Sequence, residues 1–147
     1  MKDLRFDIDI AAPVARVWDC AFDAIAYRDW TRAFCEGSYF EGSWAQGSRM
    51  RFLDPDGNGM DALVEENRLH ERLALKLVGS LTQGRPSPDG TLAAHPGYEI
   101  YEFSATAGGG THLVIQLRGW DDGFADMMAG LWPDALRRLK ALSESVH

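Results

Sequence analysis

Cysteine is scarce in this chain: Cys20 and Cys35 are the only two among 147 residues, and neither belongs to a Cys-x-x-Cys pair. No apolar run approaches the length of a membrane span, so no spanning helix is expected. Met1 to Asp7 runs straight into a strand pattern in place of a signal peptide. The expectation is therefore a soluble, cytoplasmic protein with reduced thiols. Positive charge is in deficit, with fifteen Lys and Arg against twenty-two Asp and Glu and a net charge of −7. Such a field repels phosphate backbones and anionic lipid surfaces, which argues against nucleic-acid and membrane partners. The one basic cluster, Arg137, Arg138 and Lys140, has the spacing of a solvated helix face.

Catalytic signatures are missing as well. There is no Gly-x-Ser-x-Gly elbow, no phosphate-cradling loop and no dinucleotide fingerprint. His70, His95, His112 and His147 are scattered, and His70-Glu71 lacks the second histidine of a zinc-protease helix. No metal and no cofactor is expected. One metal pattern does match: Asp54, Asp56, Asn58, Gly59 and Glu65 satisfy the spacing of a calcium-binding EF-hand loop. That loop needs a helix on each side. Here the flanks alternate with period two, Pro55 suits a turn, and the position that pairs with a neighbouring hand is Asp61. A hairpin turn is the better account.

What is present is ordinary globular material with a generous aromatic share: 46% hydrophobic, 25% charged and 11% aromatic residues, with five tryptophans. The length fits a single domain spanning 1–147. Leu4, Phe6, Ile8 and Ile10 alternate with charged residues as in a half-buried strand. Pro13 suits the first turn of a helix carrying Val14, Val17, Trp18, Ala21 and Phe22, and a second short helix follows over Ile25 to Trp30. From Gly37 onward the texture is strand and turn, with alternating runs at Met50–Phe52, Met60–Val64 and Leu73–Leu77. The stretch from Gly79 to Gly97 holds three prolines and reads as a long, mobile loop. Whether it acts as a lid is open. A sixth strand covers Tyr98 to Phe103, and its inward face is open between Tyr98/Ile100 and Tyr101/Phe103. Leu113, Ile115 and Leu117 line one face of the seventh.

The last element is a long helix. Asp121 is its N-cap, and an apolar stripe runs from Phe124 to Leu142 at i, i+3, i+4, i+7 spacing. Pro133 removes one backbone hydrogen bond from it and is expected to kink it, with Gly130 adding flexibility. The expected fold is α+β: a curved antiparallel seven-stranded sheet wrapped around this helix, with two short helices after the first strand.

That order resembles the START-like superfamily, also called the helix-grip or SRPBCC group, and within it the branch named after the activator of the heat-shock-protein ATPase. The carriers are Ala12-Pro13 followed by Val17-Trp18, the Trp44 to Ser48 turn, and Gly59-Met60 leading to Val64-Glu65. Gly110-Thr111-His-Leu113 and the closing Leu131 to Lys140 complete them. The resemblance implies a cavity between sheet and C-terminal helix that holds lipids, polyketides, steroids or similar apolar molecules. It does not imply one function, since members include transfer proteins, cyclases, hydrolases and chaperone activators.

The leading reading is a noncatalytic binder or carrier of a small apolar ligand. Its candidate contacts are Trp18, Phe22, Trp30, Phe52, Met60, Val64 and Leu75, together with Tyr101, Leu113, Ile115, Met127, Met128, Leu131 and Trp132. Core packing competes for the same residues. Two adjacent methionines, which adapt to variable ligands, favour a pocket. The alternative is a cyclase, dehydratase or hydrolase on a polyketide-like or aromatic substrate. It needs inward acid–base groups drawn from Glu99 or Glu102, Asp61, Glu65, His112 and Tyr101. A co-chaperone role, implied by the branch name, ranks last because the chain reads as a lone domain without a partner-binding extension. A homodimer is compatible with the sequence but not derivable from it.

Overall fold

Leu4, Phe6, Ile8 and Ile10 turn to the interior along strand β1 (Lys2–Ile10), as their alternation with charged residues requires. The computed structural model describes residues 1–87 and 92–145. Helices α1 (Val14–Phe22) and α2 (Ala24–Trp30) follow, then a single 3₁₀ turn, Thr31–Ala33. Strands β2 (Tyr39–Gly42), β3 (Arg49–Leu53), β4 (Gly59–Arg68), β5 (Arg72–Thr82) and β6 (Arg85–Pro86) come next. Strands β7 (Gly97–Ala105) and β8 (Thr111–Trp120) lead into helix α3 (Asp122–Glu144). Every strand pairing is antiparallel, in the order β1-β8-β7-β5-β4-β3-β2, with β6 paired to β5. The expected fold class is the one observed, with the two-residue β6 as an eighth strand.

The expected loop from Gly79 to Gly97 needs correction at its start. Strand β5 runs on to Thr82, turns through Gln83 and Gly84 at positive φ, and returns as β6. Gly79 reads as a breaker, but it pairs with Asp61 beside a bulge at Val78 of β5, which absorbs it within the sheet. Residues 88–91 of that loop, and His147, lie outside the described residues. The acidic turn joins strands, not helices: Asp54 accepts hydrogen bonds from the N–H groups of Asp56 and Asn58, both at 2.9 Å. Its carboxylate is thus spent on shaping a hairpin turn.

Helix α3 is held at both ends. The Asp121 side chain accepts from the Phe124 N–H at 3.3 Å. At the other end Arg16 of α1 donates to the Ser143 carbonyl at 2.6 Å and the Ser145 carbonyl at 2.9 Å. A guanidinium there satisfies carbonyls that have no helical partner and complements the negative end of the helix dipole. The C-terminal half of α3 is thereby fastened to α1 and β1, while its N-terminal half crosses the other end of the sheet. The helix continues through Pro133. Gly130 lies exposed in its middle with nothing within 4 Å of where a Cβ would stand. Gly130→Ala is therefore expected to stabilise the protein by about 0.5–1 kcal/mol, because the substitution removes only unfolded-state freedom. A denaturant midpoint that falls would show that α3 needs the glycine.

Candidate functional site

Strand β7 decides the chemistry of the interior. Its odd-numbered residues face the helices: the Tyr101 ring lies 5.2 Å from Phe22 and 6.2 Å from Trp132. That places Glu99 inside as well. The even positions face outward, and Glu102 pairs with Arg72 at 3.0 Å. The other acid–base candidates also lie away from the interior. Asp61 pairs with Arg49 at 3.6 Å, Glu65 is exposed, and His112 contacts Asp9 at 2.7 Å on the outer face.

Between the sheet and the N-terminal half of α3 lies a cavity of about 700 Å³. Close-packed cores leave few voids larger than a water molecule, about 30 Å³, so a space of this size is not a packing imperfection. Sheet residues on its wall include Phe52, Met60, Leu77, Glu99 and Tyr101. The stripe Tyr27, Trp30 and Phe34 supplies another side, and Phe124, Met127, Met128, Leu131 and Trp132 of α3 the roof. Asn58, His95, Asp121 and Met127 line the cavity and are exposed, which marks its rim. Trp120 closes one end, stacked on Phe124 at 5.1 Å and donating from Nε1 to the Tyr98 carbonyl at 2.9 Å.

Of the residues named from sequence, Trp30, Phe52, Met60, Tyr101, Met127, Met128, Leu131 and Trp132 meet on the cavity wall. Trp18, Phe22, Val64, Leu75, Leu113 and Ile115 do not; they fill the closed core beneath α1 and the C-terminal half of α3. The difference follows from the seating of α3, which presses one end of the sheet and stands off the other. Tyr27 and Phe34 were missed. Their spacing from Trp30, three and four residues to either side, was the helical signal for them.

Glu99, Tyr101, Tyr27 and Trp132 carry polar groups deep in this apolar wall. Glu99 is 9% exposed and lies between Leu75 of β5 and Leu117 of β8, both fully buried. Its carboxylate accepts one long hydrogen bond, 3.3 Å, from the Tyr101 hydroxyl. Burial pushes the Glu99 carboxyl up to about 7, against a smaller opposing effect of the Tyr101 hydrogen bond. Burial raises Tyr101 and Tyr27 as well, with the Glu99 charge adding to it, so both phenols stay protonated. Trp132 carries an indole Nε1 that is buried without a partner among the described residues, a cost of about 1–3 kcal/mol. Its ring is nevertheless the hub that joins Phe6, Trp30, Phe34 and Tyr101 at 5.0–6.3 Å. Among the described residues there is no cluster of metal-ligating side chains, and no helix is long and apolar enough to cross a membrane.

A family model described as activator of Hsp90 ATPase homolog 1-like protein matches residues 11–144. No curated protein matches the chain. Among solved structures, protein CV1439 from Chromobacterium violaceum is 19% identical over 99% of this chain and 100% of its own, with a TM-score of 0.71. Protein MLL2253 from Mesorhizobium loti is 16% identical over 96% of each chain, with a TM-score of 0.74. DynU16, from the dynemicin biosynthetic locus, is 18% identical over 99% of this chain and 48% of its own, with a TM-score of 0.73. These structures share the START-like, helix-grip fold that the sequence motifs resemble.

Proposed function

We propose that this chain, which belongs to the family of activator of Hsp90 ATPase homolog 1-like proteins, binds a small apolar ligand between its sheet and the N-terminal half of α3, as one domain spanning 1–147. The observation that carries this is the cavity of about 700 Å³, walled by aromatic rings and methionines. Its size lies within the range of small-molecule sites, and apolar walls with a few inward polar groups are their usual make-up. The setting is cytoplasmic, in keeping with free thiols at Cys20 and Cys35. A structural neighbour from the dynemicin biosynthetic locus is compatible with a small-molecule cargo.

Native mass spectrometry of the purified protein, followed by organic extraction, tests this. The expected result is a stoichiometric apolar adduct that Met60→Trp, which fills the cavity from β4, abolishes without loss of fold. An adduct-free protein that also shows no thermal shift with any of a panel of aromatic and aliphatic probes would overturn the proposal.

A second reading, acid–base catalysis on a polyketide-like or aromatic substrate, is favoured by one observation: Glu99 and Tyr101 face the cavity side by side. A carboxyl near 7 is matched to proton transfer at neutral pH. Its signature is turnover that Glu99→Gln removes while ligand binding persists.

A further inference from the structure

The cavity is apolar, but its charge is of one sign. Glu99 is buried on the inner wall, and Asp54 and Asp121 line it nearer solvent. No lysine or arginine lines it among the described residues. A ligand carboxylate would enter facing acids with no cation to receive it. Glu99 itself is poorly served. Burial has stripped its water, and the single long hydrogen bond from Tyr101 returns little. It shares the cavity wall with the rings of Tyr27, Trp30, Phe34, Tyr101 and Trp132, spaced 5.0–6.3 Å where they neighbour one another. Aromatic walls next to a carboxylate attract a cation by two routes, a charge-assisted hydrogen bond and the ring quadrupoles.

We infer that the cavity selects an apolar ligand bearing a basic amine, its ammonium seated between the Glu99 carboxylate and the rings of Tyr101 and Trp132. The inference rests on the apolar-ligand reading above and adds the ligand's polar group. Folding has already taken Glu99 out of bulk water, so an incoming ammonium meets a carboxylate in need of a partner. A neutral ligand leaves Glu99 uncompensated, and an anionic one worsens its position. A pH signature follows. The ammonium pairs with ionised Glu99, so binding weakens as the pH falls through the range where that group protonates. The groups facing Glu99 are Tyr101 on β7, Tyr27 on α2, Leu75 on β5 and Leu117 on β8, with Met128 and Trp132 across the cavity on α3. His95 is the one histidine that lines the cavity among the described residues, and it sits at the exposed rim.

Calorimetric titration of the full chain with three matched probes, naphthylethylamine, naphthylethanol and naphthylacetate, tests the inference. At a pH of about 8 the amine is expected to bind at least about tenfold tighter than the alcohol, with the carboxylate weakest. Amine affinity falls about tenfold per pH unit below about 7, while alcohol affinity stays flat. Glu99→Gln levels the amine with the alcohol and keeps alcohol binding, whereas His95→Gln leaves the pH slope in place. Equal affinities for amine and alcohol in the parent protein, or an amine advantage that survives Glu99→Gln, would overturn the inference and leave the apolar-ligand reading standing. Failure of all three probes to bind would count against both.

Discussion

Glu99→Gln is expected to make the protein more stable at neutral pH and to remove a stability loss that the parent shows on going from mildly acidic to neutral solution. In the folded chain this carboxyl is held near 7, against an ordinary value of 4.5, because burial between Leu75 and Leu117 disfavours its charge. Below 4.5 both folded and unfolded states carry the proton, and folding is indifferent to it. Between 4.5 and about 7 the folded state keeps a proton that the unfolded chain has released, so stability falls as pH rises, and above about 7 the loss is complete. A displacement of that size amounts to about 3 kcal/mol. Glutamine has no proton to lose. At a pH of about 7.5 the variant should therefore gain about 2–3 kcal/mol over the parent, while at about 5 the two should agree within about 1 kcal/mol. Urea unfolding of both proteins at those two pH values measures it.

The terminal amine and the carboxylates that ion pairs hold away from their ordinary values act outside this window. Asp122 is held down by the Met1 amine and Glu144 by Lys140 and the Ala11 N–H, so their contributions are lost only as pH falls through the carboxylate range. The Met1 amine is raised by Asp122, and its contribution is lost only as pH climbs above its ordinary 8.0. Parallel stability profiles for the parent and Glu99→Gln between about 5 and 7.5 would show that water or a neighbouring dipole solvates Glu99 well. The electrostatic basis for ligand selection would then fail with it.

Gly59→Ala should cost more than 3 kcal/mol, roughly, and lower the thermal midpoint by about 10 °C. Gly59 opens β4 opposite Leu53, and a Cβ there would stand 1.7 Å from the Phe52 carbonyl oxygen and 3.1 Å from the Leu53 Cα. Those are backbone atoms of the paired strand, so no rotamer change relieves the contact. Either the β3–β4 pairing opens or both strands move. Phe52 and Met60, on the cavity wall, move with them, so bound ligand is expected to be lost along with stability. Thermal unfolding followed by circular dichroism is the measurement. A midpoint within about 2 °C of the parent would mean the hairpin shifts at little cost. Gly130→Ala is the counterpart in open space, where the same chemical change stabilises.

Local chemistry was legible wherever it repeats. The period-two runs of β1 and β8, the stripe and N-cap of α3, and the hairpin at Asp54 all stood in the sequence because each is imposed by neighbours two to four residues away. The family resemblance was legible too, since its motifs keep their order along the chain. Gly59 shows the limit: it reads as one more turn glycine, and only the pairing partner shows that a side chain cannot fit. The division between cavity and core was equally hidden. Val64, Leu75, Leu113 and Ile115 have the same pattern as Phe52 and Met60, and what separates them is where α3 stands off the sheet. Glu99 is the sharpest case. Both faces of strand β7 carry apolar residues, Tyr98 and Ile100 on one and Tyr101 and Phe103 on the other, so alternation could not say which carboxylate turns inward. Pairing with β5 and β8 decided it, placing Glu99 between Leu75 and Leu117. Register is a long-range property, set by strands that lie about twenty residues away on either side in the chain. Apart from the end of β5 and the short β6, the elements and their order came from the sequence alone, whereas the buried charge that gives the cavity its chemistry came from the way the sheet closes around it.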